Sequence, residues 1–206
     1  MRIILVMLVA VAAGVASWLH HTAGSEETAR LGGGGGSGSA AVDRPIEGPA
    51  ESLLEPGKHG AIPKAGPTGK LAWRAYARPF DQSDKRPRIA VIVAGMGLNK
   101  TVTEAAITEL PGAVSLAFSP YAPELQTYLD TARKRGHETL LMLPMEPRSA
   151  STIDPGPRAL LTTLDPDQNR DRLHWVLSRA KGYVGLVIEH GGSFLANGTA
   201  SSPALS

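Results

Sequence analysis

The sequence contains no cysteine among its 206 residues. Disulfide bonds and cysteine-ligated metal centres are therefore excluded. The formal net charge is only +2, and lysine and arginine are scattered along the chain without forming a basic stripe. This distribution does not indicate a nucleic-acid partner. The Gly-x-x-x-x-Gly-Lys-Ser/Thr pattern is also missing, which argues against a P-loop nucleotide hydrolase.

A complete dinucleotide-binding loop is missing as well. Gly95 and Gly97 follow a predicted strand, as the first glycines of such a loop do. The third glycine of the fingerprint would stand at position 100, where the chain has Lys100. No strong acidic partner ends the next predicted strand, where the ribose contact would be. We therefore expect no nucleotide cofactor.

The amino terminus carries an uncharged apolar run that follows Arg2 and spans residues 3–19. A membrane-spanning helix needs about 20 apolar residues and the core of a signal peptide about 7–15, so this run lies between the two. No clear Ala-x-Ala cleavage site follows it. We predict that residues 1–22 form a hydrophobic helix that anchors the protein in the inner membrane as a single pass, with a periplasmic domain. A cleaved signal segment, with secretion to the periplasm, is the alternative.

Residues 23–69 are rich in glycine and proline and include five consecutive glycines at positions 32–36. Glycine repeats lose much entropy on ordering and bury no side chain, which predicts a disordered linker over residues 23–69. His59 lies in this range, and we expect it to be solvated. The folded domain is predicted to cover residues 70–206.

In that domain, apolar runs alternate with amphipathic segments. The predicted strands cover residues 89–93, 113–118, 138–143 and 183–188. The predicted helices run from a cap at Asn99 or Thr101 to Leu110, from Glu124 to Arg135, and from a cap at Asp165 to Gly182. Such alternation predicts an α/β fold with a parallel sheet built by right-handed crossovers. Because a closed barrel needs more than four strands, the sheet is either open or part of a larger fold.

The first predicted strand is apolar and β-branched with no polar alternation, which indicates burial on both faces. Chemistry in α/β proteins usually occurs at the carboxyl ends of such strands. Here that end carries Ala94 and Gly95, which can neither bind a metal through a side chain nor transfer a proton.

Residues from about 73 to 196 resemble the divergent polysaccharide deacetylases, a branch of the NodB-like deacetylases. The resemblance is carried by Ile89-Ala-Val-Ile-Val93 with Gly97-Leu98, Leu116-Ala-Phe-Ser-Pro-Tyr-Ala122, Gly136-His-Glu138, Leu143-Pro-Met-Glu-Pro147, Asp154-Pro-Gly-Pro157 with Leu160-Leu161, and Tyr183-Val-Gly185. It implies a (β/α) barrel-like fold and a place in carbohydrate metabolism. Active relatives use a divalent metal such as zinc to hydrolyse N-acetyl groups on sugars. If this chain is active, the resemblance implies a carbohydrate deacetylase, a hydrolase acting on C–N bonds.

The chain departs from the family pattern where that metal would bind. The resemblance implies an aspartate pair where the chain has Ala94 and Gly95, and a histidine where it has Met142. The Asn-His-x-Gly-Ser motif keeps its histidine, glycine and serine here but has Glu189 in place of asparagine. The chain also resembles a carboxy-terminally short member. We therefore expect no metal ligands and no cofactor.

Four residues remain as candidates for substrate binding: Glu146, Asp154, His190 and Ser193. Of these, His190 and Glu146 are also the candidates for catalysis, and the catalytic residue stays unknown. Each has a structural alternative, because Glu146 and Asp154 lie in proline-rich turns and His190 can bond its own loop. Glu189 and His190 are neighbours on a predicted strand and would point to opposite faces, so they are not expected to share one ion. His137 and His174 are expected to be structural.

Three functions stay open. The first is a cell-envelope protein without metal catalysis that binds peptidoglycan or another N-acetylated glycan, or else an envelope protein, and contacts the membrane through residues 3–19. The second is an active carbohydrate N-deacetylase with a site rearranged around Glu146, His190 and Glu189. The third is a truncated product without function.

Overall fold

The structure, a computed structural model, describes residues 5–10, 45–81, 83, 85–148 and 153–205. Its strands are β1 (Leu5–Ala10), β2 (Leu54–Gly57), β3 (Gly60–Pro63), β4 (Ile89–Met96), β5 (Ser115–Phe118), β6 (Thr139–Met145) and β7 (Gly185–His190). Its helices are α1 (Ala72–Ala75), α2 (Lys100–Glu109), α3 (Leu125–Lys134), α4 (Pro166–Leu177), α5 (Gly192–Ala196) and α6 (Gly198–Leu205). A 3₁₀ turn covers Glu51–Leu53.

The main sheet is parallel and has the strand order β1-β4-β5-β6-β7, while β2 and β3 form a separate antiparallel hairpin. From β4 onward, each strand lies beside the next one in the chain, and the crossovers carry α2, α3 and α4. Sequential parallel strands linked in this way curl into part of a barrel. The predicted α/β fold with a partial barrel-like parallel sheet is confirmed.

Most of residues 1–22, predicted to be an anchor or signal helix, lie outside the described residues. The structure describes Leu5–Ala10, which pair in parallel with β4 from Leu5 opposite Ile89 to Ala10 opposite Ala94. In the part of the chain that the structure describes, no helix is both long and apolar enough to cross a bilayer. The anchor or signal helix stays a prediction.

Local sequence signals place the helices as predicted. Asn99 caps α2, its side chain accepting a hydrogen bond from the backbone N–H of Val102 at 3.1 Å. Asp165 and Gln168 form a reciprocal capping box at the start of α4, with bonds of 2.8 and 3.2 Å. Gly136 follows α3 with φ 85°, a left-handed conformation that costs glycine little.

His137 completes the carboxyl end of α2 from outside the helix. The carbonyl of Ile107 cannot receive the usual helical bond four residues on, because residue 111 is proline and has no N–H. The fully buried His137 ring supplies the missing contact, with Nε2 at 3.1 Å from the oxygen of Ile107 and Nδ1 at 2.7 Å from that of Val114. The structural role expected for His137 is confirmed.

The two faces of the sheet are both covered by apolar side chains, but by different groups. The outer face packs against the helices through residues that include Val93, Leu116, Phe118, Leu141, Leu143 and Met145. The inner face of the curl, which alternates with it along each strand, carries Ala94, Ala117 and Met142, with Ile92, Leu140 and Val187 packed against them. We call these six residues the inner-face cluster.

Residues 45–69, predicted to be part of a disordered linker, are partly packed on the domain, and this part of the prediction is wrong. Ile46 and Leu53 are buried together with Tyr76. The backbone N–H of Ile46 donates to the carbonyl of Arg133 at 3.0 Å. The composition of this segment is of low complexity, but its few apolar residues are enough to pack it against the domain.

The β2–β3 hairpin is held on α4 by charge as well. Lys58 Nζ lies 2.6 Å and His59 Nε2 3.0 Å from Oδ1 of Asp171. These hydrogen bonds, first from Lys58 and then from His59, lower the pKa of Asp171 to about 2. The expectation that His59 is solvated is therefore corrected, because its side chain is only 19% exposed.

The last described residues form α5 and α6, and residues 194–205 contain no strand. Phe194 is fully buried, and Ala200 and Ala204 pack in the same cluster as Val176 of α4. These small residues lie on one side of α6, so the segment covers the outer face beside β6 and β7.

Candidate functional site

The carboxyl end of β4 lies against the inner-face cluster. Ala94 is 7% and Met142 5% exposed, and both contact the fully buried Ala117 of the intervening strand. Gly95 has φ 84°, and its backbone N–H donates to Sδ of Met142 at 3.2 Å. The resemblance placed an aspartate pair and a histidine at these positions, and the structure brings the three replacements together.

These residues do not fit a divalent metal. The methyl group of Ala94 and the hydrogen of Gly95 offer no ligand atom. The neutral thioether of Met142 is not one of the thiolate, imidazole and carboxylate ligands that hold zinc in proteins. That sulfur is already the acceptor for the Gly95 N–H. In the described part of the chain, no group of three or more His, Asp or Glu residues is arranged to hold a metal ion.

Glu189 and His190 end β7 at the same edge of the sheet. Glu189 lies two residues after Val187 on one strand, so its side chain shares the inner face with the cluster. Burial raises the pKa of the Glu189 carboxyl, and the nearby His190 opposes this increase. The carboxylate is thus half-buried at the rim of an apolar surface.

Among the described residues other than glycine, His190 alone has a positive φ, at 64°. This left-handed conformation breaks the extended geometry of β7 and brings Nε2 of His190 to 3.9 Å from Oε1 of Glu189. The expectation that Glu189 and His190 point to opposite faces of the strand is therefore wrong. Backbone strain of this kind often marks functional sites.

Glu146 and Ser193 lie together and hold loops. Oε2 of Glu146 accepts the backbone N–H of Thr162 at 2.5 Å, and its carbonyl accepts the backbone N–H of Ser193 at 3.3 Å. The Ser193 hydroxyl donates to the carbonyl of Pro147 at 2.9 Å. Ser193 also lines a shallow pocket together with Arg148, Thr162, Gly192, Ala196, Asn197 and Gly198.

Asp154 makes the turn that its sequence predicted. Its Oδ1 accepts the backbone N–H of Gly156 at 2.8 Å, and its side chain is exposed. Gly156 has φ 89°, and a Cβ atom there would lie 2.7 Å from the ring of Tyr121. The loop from Asp154 to Pro157 thus packs against the ring of Tyr121.

Tyr121 is an organising residue that the sequence analysis did not select. Its hydroxyl accepts the backbone N–H of Arg158 at 3.1 Å and donates to the carbonyl of Pro155 at 3.3 Å. Its ring centroid lies 5.7 Å from that of Trp175. Burial raises the pKa of Tyr121, and the negative charge of Glu189 adds to the increase. Tyr121 lies between Pro120 and Pro123, just after a buried strand, and this position could have identified it from the sequence.

The curled parallel sheet, with polar side chains collected at the carboxyl ends of its strands, defines a protein of the (β/α) barrel-like class. The sequence profile of the divergent polysaccharide deacetylases matches residues 91–206, more than half of the chain. The chain belongs to that family, and the resemblance seen in the sequence is confirmed.

Comparison with solved structures found the crystal structure of an uncharacterized protein from Agrobacterium tumefaciens. It is similar to this chain with a TM-score of 0.68 and 36% sequence identity, over 71% of this chain and 59% of that one. The chain thus spans less than two thirds of that relative. Comparison with curated proteins returned no match.

Proposed function

We propose that this chain is a cell-envelope member of the divergent polysaccharide deacetylases that binds a glycan without metal-dependent hydrolysis. The observation that carries the proposal is the Gly95 N–H to Met142 Sδ contact over Ala94 and Ala117. An active relative would need carboxylate and imidazole ligands around this point. An apolar cluster occupies the space instead, so metal-activated water has no support there.

The carboxyl edge keeps the features of a binding surface. Glu189 and His190 lie at the rim of the inner-face cluster. Ser193 lines a shallow pocket together with Thr162, whose backbone N–H donates to Glu146.

The partly exposed members of the cluster, Ile92, Leu140 and Val187, are apolar groups with polar side chains at their border. Such a surface suits a sugar, which presents both C–H faces and hydroxyl groups. Peptidoglycan or another N-acetylated glycan is the proposed partner, with an envelope protein as the alternative.

The proposed location follows from the amino-terminal apolar run, residues 3–19. A retained anchor would hold the domain at the outer side of the inner membrane, and a cleaved signal would release it into the periplasm. Either route brings the domain to the compartment that contains peptidoglycan.

A second candidate function is a hydrolase with a rearranged site. The pairing of Glu189 with His190 favours it, because a carboxyl with a raised pKa beside an imidazole can serve acid–base chemistry. Glu146 does not extend this pair readily, since its Oε2 is bonded to Thr162. If His190→Ala leaves an observed acetate release unchanged, this candidate is rejected.

The test of the main proposal is calorimetric titration of the full chain with soluble peptidoglycan fragments and with Zn²⁺. We expect saturable binding of the fragments and no stoichiometric zinc binding. Tight zinc binding at one ion per chain would contradict the loss of the metal site. Absence of binding by every glycan tried would contradict the glycan-binding role.

A further inference from the structure

Glu189 differs from the other partly buried carboxylates at this edge. Its register partner on β6 is Pro144, and its own strand places it above Val187 on the inner face. Its side chain is 33% exposed. The carboxylate therefore projects from the carboxyl edge of the sheet at the border of the inner-face cluster.

Within the described residues, no N–H or O–H group donates a hydrogen bond to this carboxylate, and its ion-pair contact is the distant one to His190, at 3.9 Å. Two other carboxylates of the domain do accept hydrogen bonds from backbone N–H groups. Glu146 accepts the N–H of Thr162, and Glu138 accepts that of Arg78 at 2.7 Å. Half-buried carboxylates normally have such donors, because burying an unpaired charge is costly.

Because the Glu189 side chain is 33% exposed, its acceptor sites face solvent and are open to donors of a ligand. A primary ammonium group carries a positive charge and three N–H donors, which match the unfilled acceptor sites of a carboxylate. An N-acetyl group offers only one N–H and presents a carbonyl oxygen that the carboxylate repels. The partly exposed side chain of Val187, below Glu189 on the same strand, would lie against the C–H face of a sugar.

We infer that the carboxyl edge of this chain binds amino sugars whose nitrogen is free and cationic, with Glu189 as the counter-ion. The inference rests on the proposed glycan-binding function and selects the chemical form of the glycan. A family fold associated with N-acetyl removal would here recognise the de-N-acetylated form.

The test uses calorimetric titration of the full chain with three tetrasaccharides: β-1,4-linked glucosamine, β-1,4-linked N-acetylglucosamine and cellotetraose. We expect glucosamine tetramer to bind about tenfold or more tightly than the other two, and its binding to weaken as salt is added. Glu189→Gln should remove that preference, so that the glucosamine tetramer binds the variant no more tightly than cellotetraose does.

The matched control is Glu109→Gln, the same charge change on an exposed position of α2. It should leave all three affinities unchanged, which excludes an effect of net charge alone. Equal or tighter binding of the N-acetylated tetramer, or an unchanged glucosamine affinity in Glu189→Gln, would overturn the inference while glycan binding stands. Failure of all three oligosaccharides to bind would overturn the glycan-binding proposal itself.

Discussion

The backbone N–H of Gly95 donates to Sδ of Met142 across 3.2 Å, joining the ends of two strands that are not neighbours in the sheet. The strand between them, β5, contributes Ala117 beneath this contact. At the point where a barrel-type hydrolase would place its ligands, Ala94 and Met142 are thus buried in apolar packing while Gly95 is exposed.

Ala94→Asp should be strongly destabilising, because Ala94 is 7% exposed and packs on Ala117 and Met142. A carboxylate buried there without a donor should cost about 3 kcal/mol or more of unfolding free energy. Urea unfolding of the full chain measures this loss. The matched change Gly95→Asp, where no atom lies within 4 Å of an added Cβ, should cost only about 1 kcal/mol for its left-handed backbone. Equal costs at the two positions would show that the cluster is not tightly packed.

His137→Leu should lower the unfolding free energy by about 2–5 kcal/mol. The change leaves the carbonyls of Ile107 and Val114 buried without their ring partner, and Pro111 cannot replace it. Thermal or urea unfolding measures the loss. His174→Leu, on a half-buried face of α4, is the control and should change stability by about 1 kcal/mol or less. A stable His137→Leu variant would contradict the capping role.

Glu189→Gln should make the protein slightly more stable at neutral pH, by less than about 1 kcal/mol, while removing the preference for amino sugars. The folded-state pKa of Glu189 is raised, so ionisation costs stability as the pH rises above the ordinary glutamate value of 4.5. The advantage of the variant should therefore disappear as the pH falls to that value. Urea midpoints of both proteins across this range test the sign. A variant that is less stable at neutral pH would contradict the unpaired state of the carboxylate.

Asp171→Asn should loosen the β2–β3 hairpin by removing the negative charge that attracts Lys58 and His59, because the neutral amide oxygen is a weaker acceptor than a carboxylate. Hydrogen exchange of the amides in residues 54–63 should become faster at neutral pH. Because the pKa of Asp171 is lowered from 3.8 to about 2, the stability it contributes is complete above 3.8 and is lost as the pH falls towards 2. The difference in amide exchange rate between the variant and the wild type should therefore become smaller as the pH falls from 3.8 towards 2.

Asp167→Asn is the control for this prediction, because Asp167 is exposed on the same helix and pairs with Arg170 across one turn. It should leave the exchange of the hairpin amides unchanged. If both variants speed the exchange of the hairpin amides equally, the charge of the helix controls that exchange, and the contact of Asp171 with Lys58 and His59 does not.

Much of the fold was readable from the sequence because its signals are local. The capping box of Asp165 and Gln168, the left-handed Gly136 and the β-branched run of β4 each predict an element without reference to the rest of the chain. The order of these elements then predicts the parallel sheet. The packed segment at residues 45–63 was missed because its stability comes from contacts of Ile46 and Leu53 with Tyr76 and of the hairpin with α4, which composition does not record.

The candidate site was predictable only in part. The absence of ligands at Ala94, Gly95 and Met142 was visible once the motifs were aligned by resemblance. The contact between Glu189 and His190 was not, because alternation along a strand predicts opposite faces and only the left-handed backbone of His190 reverses this. The role of Tyr121 depends on a loop more than thirty residues later in the chain.

The central claim is that this member of the family does not carry out metal-dependent deacetylation. Acetate release from N-acetylglucosamine tetramer by the full chain, with Zn²⁺ added, tests it most directly. We predict acetate at the level of the protein-free reaction. Release over many turnovers that depends on both the protein and the metal would contradict the account, because Ala94, Gly95 and Met142 provide no ligands through which it would occur.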